Sequence, residues 1–182
     1  AWSAFDDVSN NTTPFNWWVG DSNGAGVDDY DPTTGDYIAN ISSFESIAGE
    51  WIQIHFKNVQ FKLGTMKLYE RQGFSDRLPK EGFIFGSNDG SSWSQLTNFI
   101  NNESSPKTVI INATNSYSYY TLLVTKSGGG DVINIAEIEY YSSITSTTLT
   151  ENTAGVTSTG TLGVDLVTTW TIPTDASDTM YY

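Results

Sequence analysis

Four aspartates in one short stretch are the residues whose type and spacing most directly suggest chemistry. Asp28, Asp29, Asp31 and Asp36 lie in a run rich in Asp, Gly and Asn. Glycoside hydrolysis uses two carboxyl groups, about 5–5.5 Å apart in retaining enzymes and about 6.5–9.5 Å apart in inverting enzymes. Acids this close within one loop more often share solvent or a cation, and the sequence offers no other nucleophile–base pair. We therefore predict that the chain is not an enzyme.

Composition excludes several further classes of function. The 182 residues carry a net charge of −13 with only eight basic side chains, which disfavours nucleic acid and anionic membranes as partners. The absence of Cys excludes disulfides and thiol chemistry, and a single His, His55, disfavours histidine catalysis. No apolar run approaches the ~20 residues of a membrane helix. Acidity suits a secreted or surface-displayed protein and attracts cations such as Ca²⁺.

The stretch from Phe83 to Trp93 organises the rest of the chain. Phe83–Phe85 is aromatic and β-branched, which predicts a short buried strand. The polar residues 87–92 that follow predict a tight turn, in which Gly90 takes a positive φ. Trp93 is predicted to return to the core and to start the next strand. This stretch therefore reads as a β-hairpin.

The remaining pattern predicts an all-β fold. Six Trp, ten Tyr and nine Phe supply a core despite a hydrophobic content of 38%. Alternation over residues 51–56 places Trp51, Gln53 and His55 on one face of a strand and the apolar side chains on the other. About eight short strands, joined by Gly, Asn and Ser turns, indicate an antiparallel β-sandwich over residues 1–141.

Residues 142–182 differ in composition and form a second region. They begin as a Thr/Ser-rich linker and continue into a partial second β element, in which residues 166–172 have strand propensity and Pro173 ends the run. The region is too short to bury a core of its own. We expect it to be ordered by pairing with another copy of the chain, with another structural protein or with a further domain.

Three motifs give the first region a family resemblance. The runs Gly-Glu-Trp-Ile-Gln-Ile at 49–54, Gly-Ser-Asn-Asp-Gly-Ser-Ser-Trp at 86–93 and Ala-Glu-Ile-Glu-Tyr at 136–140 follow in this order. Together they resemble the discoidin-like (coagulation factor five/eight C-type) domain, a jelly-roll sandwich, and its family 32 carbohydrate-binding relatives. The sequence is also similar to discoidin-like repeats of viral surface and fibre proteins. It lacks the disulfide of many animal members.

The resemblance implies a ligand surface made by loops at one end of the sandwich. Sugars present apolar C–H faces and many hydroxyls, so aromatic rings and planar polar side chains suit them. For the paired Trp17 and Trp18, a place in the core is favoured over a place in the ligand surface, although Trp18 remains a candidate. The candidate stacking residues are Trp18, Tyr30, Tyr37 and Phe74, and the candidate hydroxyl-binding residues are Asp28, Asp31, Arg71 and Arg77.

The resemblance also implies a structural Ca²⁺ near the chain ends of the sandwich. The matching ligands are Asp6 or Asp7, a hydroxyl of Thr12 or Thr13, the carbonyl of Ala136 and the carboxylate of Glu137. Ca²⁺ takes six to eight oxygen ligands of these kinds. The alternative is a solvated acidic loop, with Glu137 bonding backbone amides.

The function that follows from this resemblance is non-catalytic binding of glycans or glycoproteins on a cell surface. The chain would then be one module of a larger extracellular or virion-surface protein engaged in adhesion. The alternative is a purely structural subunit of a capsid, fibre or filament that binds no small ligand. The Thr-rich tail favours this alternative.

Overall fold

The computed structural model describes residues 18–20, 27–100, 102 and 104–143, together with the backbone of two strands at 156–159 and 167–170. Contacts divide the chain into two units, Ala1–Ser143 and Ile144–Tyr182.

The first unit is a sandwich of two four-stranded antiparallel sheets. One sheet has the order β1-β10-β5-β8 and the other β4-β9-β6-β7, and the hairpin β2-β3 forms a separate two-stranded sheet. A short 3-10 turn, Ser75–Arg77, lies between β5 and β6. The strands are β1 Trp18–Gly20, β2 Ser43–Phe44, β3 Ile47–Ala48, β4 Glu50–His55, β5 Leu63–Glu70, β6 Pro79–Ser87, β7 Ser94–Ile100, β8 Lys107–Ile110, β9 Tyr119–Ser127 and β10 Ile133–Ser142. The predicted antiparallel β-sandwich is therefore confirmed.

The core lies between the two sheets and follows the alternation of the strands. Ile52 of β4, Leu122 of β9 and Ile84 of β6 are cross-strand neighbours in the register and are at most 3% exposed. Met66 and Leu68 of β5 face them from the other sheet within the same apolar cluster. Because side chains alternate across a strand, every second residue of β4, including Trp51 and His55, points away from this core.

The turn between β6 and β7 forms as the sequence predicts. Gly90 has a φ of +72°. The Ser87 hydroxyl accepts hydrogen bonds from the backbone N–H groups of Asp89 and Gly90, at 3.2 and 3.0 Å. Asp89 in turn accepts from the N–H groups of Ser91 and Ser92, at 2.8 and 2.7 Å. Four consecutive N–H groups of the sharp reversal thus find a nearby side-chain oxygen.

Trp93 does not join the main core, which corrects the prediction made for it. Its ring is half-buried and packs on Phe44 of β2, with the ring centroids 4.9 Å apart. The strand β7 begins one residue later, at Ser94. The hairpin β2-β3 covers the outer face of the sheet here, and it gives Trp93 a separate partner.

In the second unit the described backbone consists of two strands, β11 Val156–Thr159 and β12 Val167–Trp170. They pair with each other as an antiparallel ladder, with Val156 opposite Trp170. The strand β12 lies inside the run with predicted strand propensity. Its described partner is thus a strand of the same chain.

Candidate functional site

One end of the sandwich collects four of its connections. They are the segment before β2, the β5–β6 and β7–β8 connections and the β9–β10 turn. In antiparallel sheets, alternate connections share one end, so these segments lie together although they are distant in sequence. We call this region the loop end. The β6–β7 turn and the exit of the chain after β10 lie at the opposite end.

Three predicted ligand residues, Arg71, Phe74 and Arg77, form one cluster at the loop end. The guanidinium carbon of Arg71 lies 4.1 Å from the centroid of the Phe74 ring, and that of Arg77 lies 4.9 Å from it. Both distances are within the range of cation–π attraction. Partial burial lowers the pKa of Arg71, and the positive charge of Arg77 acts in the same direction. The two cations therefore share one aromatic ring.

Residues of the β9–β10 turn and of β10 hold both arginines in place. A carboxylate oxygen of Asp131 lies 2.8 Å from a guanidinium nitrogen of Arg77. The side-chain oxygen of Asn134 accepts a hydrogen bond from Arg71 at 3.2 Å. The carbonyl of Asp131 also accepts from the N–H groups of Asp29 and Tyr30, at 2.9 Å each. Asp131 and Asn134 were not predicted site residues, because their role depends on strands brought together by the fold.

Two of the predicted stacking aromatics are core residues, and this corrects their assignment to the ligand surface. Trp18 is 8% exposed and Tyr30 is 0% exposed. The Tyr30 hydroxyl donates to the carbonyl of Val124 at 3.0 Å, which satisfies the one polar group of the ring. A buried ring has no face to offer a sugar. Trp18 thus lies in the core, which is the position that the sequence analysis favoured for the paired tryptophans.

Tyr37 and Asp31 support the loop itself. Tyr37 forms an isolated bridge with Tyr30 and makes an edge-on ring contact with it at 5.3 Å. The hydroxyl of Tyr37 accepts from the N–H of Ser42. Asp31 caps a turn by accepting from the N–H groups of Thr33 and Thr34, which lower its pKa. Both side chains therefore have structural partners, while part of each remains accessible.

The remaining aspartates of this loop differ in their surroundings. Asp29 is buried, whereas Asp28 is exposed. Asp36 lies 2.9 Å from the ammonium group of Lys126, and this hydrogen-bonded ion pair lowers the pKa of Asp36. Three of the four acids, Asp29, Asp31 and Asp36, are thus buried or used by the loop.

A polar cleft of about 190 Å³ opens beside the arginine cluster. It lies where the ends of β5 and β9 meet the starts of β6 and β8. Leu78 provides an apolar wall, and hydroxyl, amine, amide and carboxylate groups supply donors and acceptors. The residues that line it are Glu70, Ser75, Leu78, Lys80, Asn102, Ser104, Ser105, Lys107 and Gly128.

A second aromatic surface, missed by the sequence analysis, covers the outer face of the sheet β4-β9-β6-β7. Phe44 packs against Trp51 and Phe85, with centroid distances of 5.4 and 5.2 Å. His55 stacks on Tyr119 at 3.9 Å. Trp51 remains 40% exposed. The exposed face of the β4 alternation indicated part of this surface, but the packing of the distant Phe44 on it could not be read from the sequence.

The predicted Ca²⁺ site falls only partly within the described chain. Ala136 and Glu137 are buried in β10, at 0% and 4% exposure. A register shift against β5 makes Ala136 the extra residue of a β-bulge, because Ile135 pairs with Glu70 and Glu137 with the adjacent Tyr69. Asp6, Asp7, Thr12 and Thr13 lie outside the described residues. Within the part of the chain that the structure describes, no group of three or more acidic or histidine side chains is placed to hold a metal.

Comparison with known proteins establishes the fold. No family model and no curated protein sequence matches the chain. The family 32 carbohydrate-binding module of Clostridium perfringens NanJ, solved in complex with galactose, has a TM-score of 0.51 at 14% identity, over 76% of this chain and 81% of that one. The structure therefore has the discoidin-like fold, as the motifs predicted.

Two other solved structures are similar over a comparable length. A family 62 module from Clostridium thermocellum Xyl5A has a TM-score of 0.45 at 21% identity, over 77% of this chain and 81% of that one. A family 89 glycoside hydrolase from Clostridium perfringens has a TM-score of 0.49 at 16% identity, over 78% of this chain. This chain spans 12% of the length of that hydrolase.

Proposed function

We propose that the chain is a non-catalytic carbohydrate-binding module that acts outside the cell and binds glycan at the loop end. The observation that carries the proposal is the cluster of Arg71, Phe74 and Arg77 beside a polar cleft. Arginine donors held in advance by Asn134 and Asp131 lose little freedom when they bind sugar hydroxyls. The family 32 module that shares the fold was solved with galactose, which supports a sugar as the ligand.

The loop chemistry supports binding without catalysis. Hydrolysis requires two carboxyl groups facing one glycosidic bond. In the loop that carries four aspartates, Asp31 caps a turn and Asp36 is paired with Lys126. Within the described residues no helix has the length and apolar character to cross a membrane.

A glycan array followed by titration calorimetry tests the proposal. We expect at least one neutral or acidic glycan to bind, and Phe74→Ala together with Arg71→Gln to weaken that binding at least tenfold. Trp51→Ala is the matched control, because it removes an exposed aromatic side chain from the sheet face instead of the loop end. Binding that survives the loop-end changes and is lost in Trp51→Ala would place the site on the sheet. The absence of any binding glycan would contradict the proposed function.

We propose, in addition, that Ca²⁺ stabilises the sandwich through Glu137 and the carbonyl of Ala136, with Asp6 or Asp7 and a threonine hydroxyl. The bulge at Ala136 supports this proposal, because a bulged residue leaves the regular ladder and frees its backbone groups for other partners. The buried carboxylate of Glu137 lies beside it. Oxygen ligands of this kind are those that Ca²⁺ prefers.

A structural role in a larger assembly, at a virion surface or in a fibre, is the second candidate. The observation that favours it is the two-stranded sheet β11-β12, the described structure of residues 144–182. Two strands alone are marginally stable in water, so such a sheet gains from a further partner. Another copy of the chain is one candidate for that partner, and light scattering would reveal such self-association.

A further inference from the structure

The cleft at the loop end contains two lysines, although the protein as a whole is strongly acidic. Lys80 is half-buried, and Lys107 is 5% exposed. Glu70 is the one carboxylate among the described residues that line the cleft. The chain has a net charge of −13 and only eight basic residues. Two ammonium groups in one small cleft therefore make this cleft much more basic than the protein as a whole.

The ammonium group of Lys80 forms no ion pair with a carboxylate of the described residues. Lys126 lies 2.9 Å from Asp36 and 3.9 Å from Glu81. By contrast, no described carboxylate lies within ion-pair distance of Lys80, and its charge contributes only a minor part of the lowering of the pKa of Asp36. The two arginines of the loop end adjoin the cleft in sequence. Arg71 follows the cleft residue Glu70, and Arg77 precedes the cleft residue Leu78. An anion in the cleft would therefore meet a cation that the fold has left available.

We propose that the cleft binds the carboxylate of an acidic sugar, with Lys80 as its charged partner and Lys107 behind it. This inference rests on the proposed glycan-binding function and names the class of sugar. The hydroxyls of Ser75, Ser104 and Ser105 line the same cleft, and they are suited to the sugar hydroxyls. In this arrangement the carboxylate of Glu70 accepts hydrogen bonds from the sugar hydroxyls. A carboxylate–ammonium hydrogen bond is shorter and stronger than one between neutral groups.

Two pairs of probes separate charge from sugar shape. The first pair is an oligogalacturonate and its fully methyl-esterified form, and the second is sialyllactose and its methyl ester. The two acidic members distinguish a uronic acid from a sialic acid as the source of the carboxylate. We expect one acidic member to bind about tenfold more tightly than its neutral partner, which corresponds to about 1.4 kcal/mol. We also expect this preference to shrink at 1 M salt, where the Debye length falls to about 3 Å.

Variants of Lys80 assign the preference to the cleft. Lys80→Gln should abolish the preference for the acidic probe by weakening its binding much more than that of the neutral probe. Lys80→Arg keeps the charge and should retain the preference. Lys57→Gln is the control for the loss of one positive charge, because Lys57 is exposed in the β4–β5 connection at the opposite end. Thermal melts of each variant verify that the fold is intact.

The outcomes separate this inference from the proposed function. Equal binding of acidic and neutral probes would overturn the inference and leave glycan binding intact. An acidic preference that survives Lys80→Gln would overturn it too, because the carboxylate would then bind elsewhere. If neither these probes nor any glycan on the array binds, the proposed function fails and the inference fails with it.

Discussion

Arg77 and Asp131 form an ion pair of 2.8 Å that joins the 3-10 turn to the β9–β10 turn. The two residues are 54 positions apart in the sequence. Their ion pair closes one side of the loop end. Asp131 also fixes the segment before β2 through its carbonyl. Three separate connections therefore meet at this one residue.

We expect the direct coupling between Arg77 and Asp131 to be modest. Their side chains are 25% and 39% exposed, and partly solvated pairs contribute about 0.2–1 kcal/mol. A double-mutant cycle with Arg77→Gln and Asp131→Asn, measured by urea unfolding, should give a coupling energy in this range that falls in 1 M salt. A coupling that is zero, or that salt does not change, would contradict an electrostatic link between the two turns.

Gly90→Ala should destabilise the fold by about 1 kcal/mol or more, because a side chain at positive φ is strained. The added Cβ would also lie 3.3 Å from the ring of Tyr119. Gly73→Ala is the matched control, since Gly73 has a φ of +82° but no atom within 4 Å of the added Cβ. Urea midpoints of the two variants should both fall. If Gly90→Ala unfolds like wild type, the turn does not require this backbone conformation.

The negative charge of Asp89 should stabilise the protein in a pH-dependent way. The N–H groups of Ser92 and Ser91 lower the pKa of Asp89 in the folded state. A lowered folded pKa gives stability that is present above the ordinary carboxyl pKa of about 3.9 and is lost as the pH falls below it. Wild type should therefore unfold at higher urea than Asp89→Asn at pH 7, and the gap should narrow below about pH 4.

Asp28→Asn is the control for Asp89→Asn, because Asp28 is exposed and no described hydrogen bond holds its carboxylate. It removes the same charge without removing a turn contact. A gap between wild type and Asp89→Asn that stays constant from pH 7 to pH 2 would show that the charge of Asp89 contributes nothing.

Removal of Ca²⁺ should lower the thermal midpoint of the protein. A ligand that binds only the folded state adds about 2.7 kcal/mol at a hundredfold excess over its Kd. We expect EDTA to lower the midpoint, added Ca²⁺ to restore it, and Glu137→Gln to abolish both responses. A thermal midpoint that is the same in EDTA and in Ca²⁺, with Glu137→Gln unfolding like wild type, would contradict the proposed Ca²⁺ site.

The amides of β12, Val167–Trp170, should exchange rapidly with solvent in an isolated monomer. A ladder of two strands lacks the buried contacts that protect backbone hydrogen bonds. Hydrogen exchange followed by mass spectrometry, on protein verified as monomeric by light scattering, measures this directly. Strong protection of β12 in that monomer would show that residues 144–182 complete their own fold, and the second candidate function would lose its support.

Local patterns explain why the sandwich could be predicted. The alternation of β4 specified which of its residues enter the core, and Ile52 is 3% exposed as that pattern requires. The turn at Gly90 followed from residues within hydrogen-bonding reach of one another along the chain. Features of this kind depend on neighbours in sequence, so the sequence reports them.

The candidate site depended on distant contacts and was only partly predictable. Tyr30 lies among polar neighbours, which suggested exposure, yet its hydroxyl reaches Val124, 94 residues away, and the ring is buried. Arg71, Phe74 and Arg77 were found because seven consecutive positions contain all three. The lysines of the cleft come from different strands, and only the fold places Lys80 beside Lys107.

The exit of the chain from the sandwich has a practical consequence. Ser143 bonds to the carbonyl of Lys62, at the start of β5, whereas Glu70 at the other end of β5 lines the cleft. At about 3.4 Å per residue, the eight positions from Lys62 to Glu70 separate these two points by roughly 27 Å. A biotin tag or sensor-chip linkage that replaces the residues after Ser143 would therefore attach to the sandwich at the end opposite the cleft.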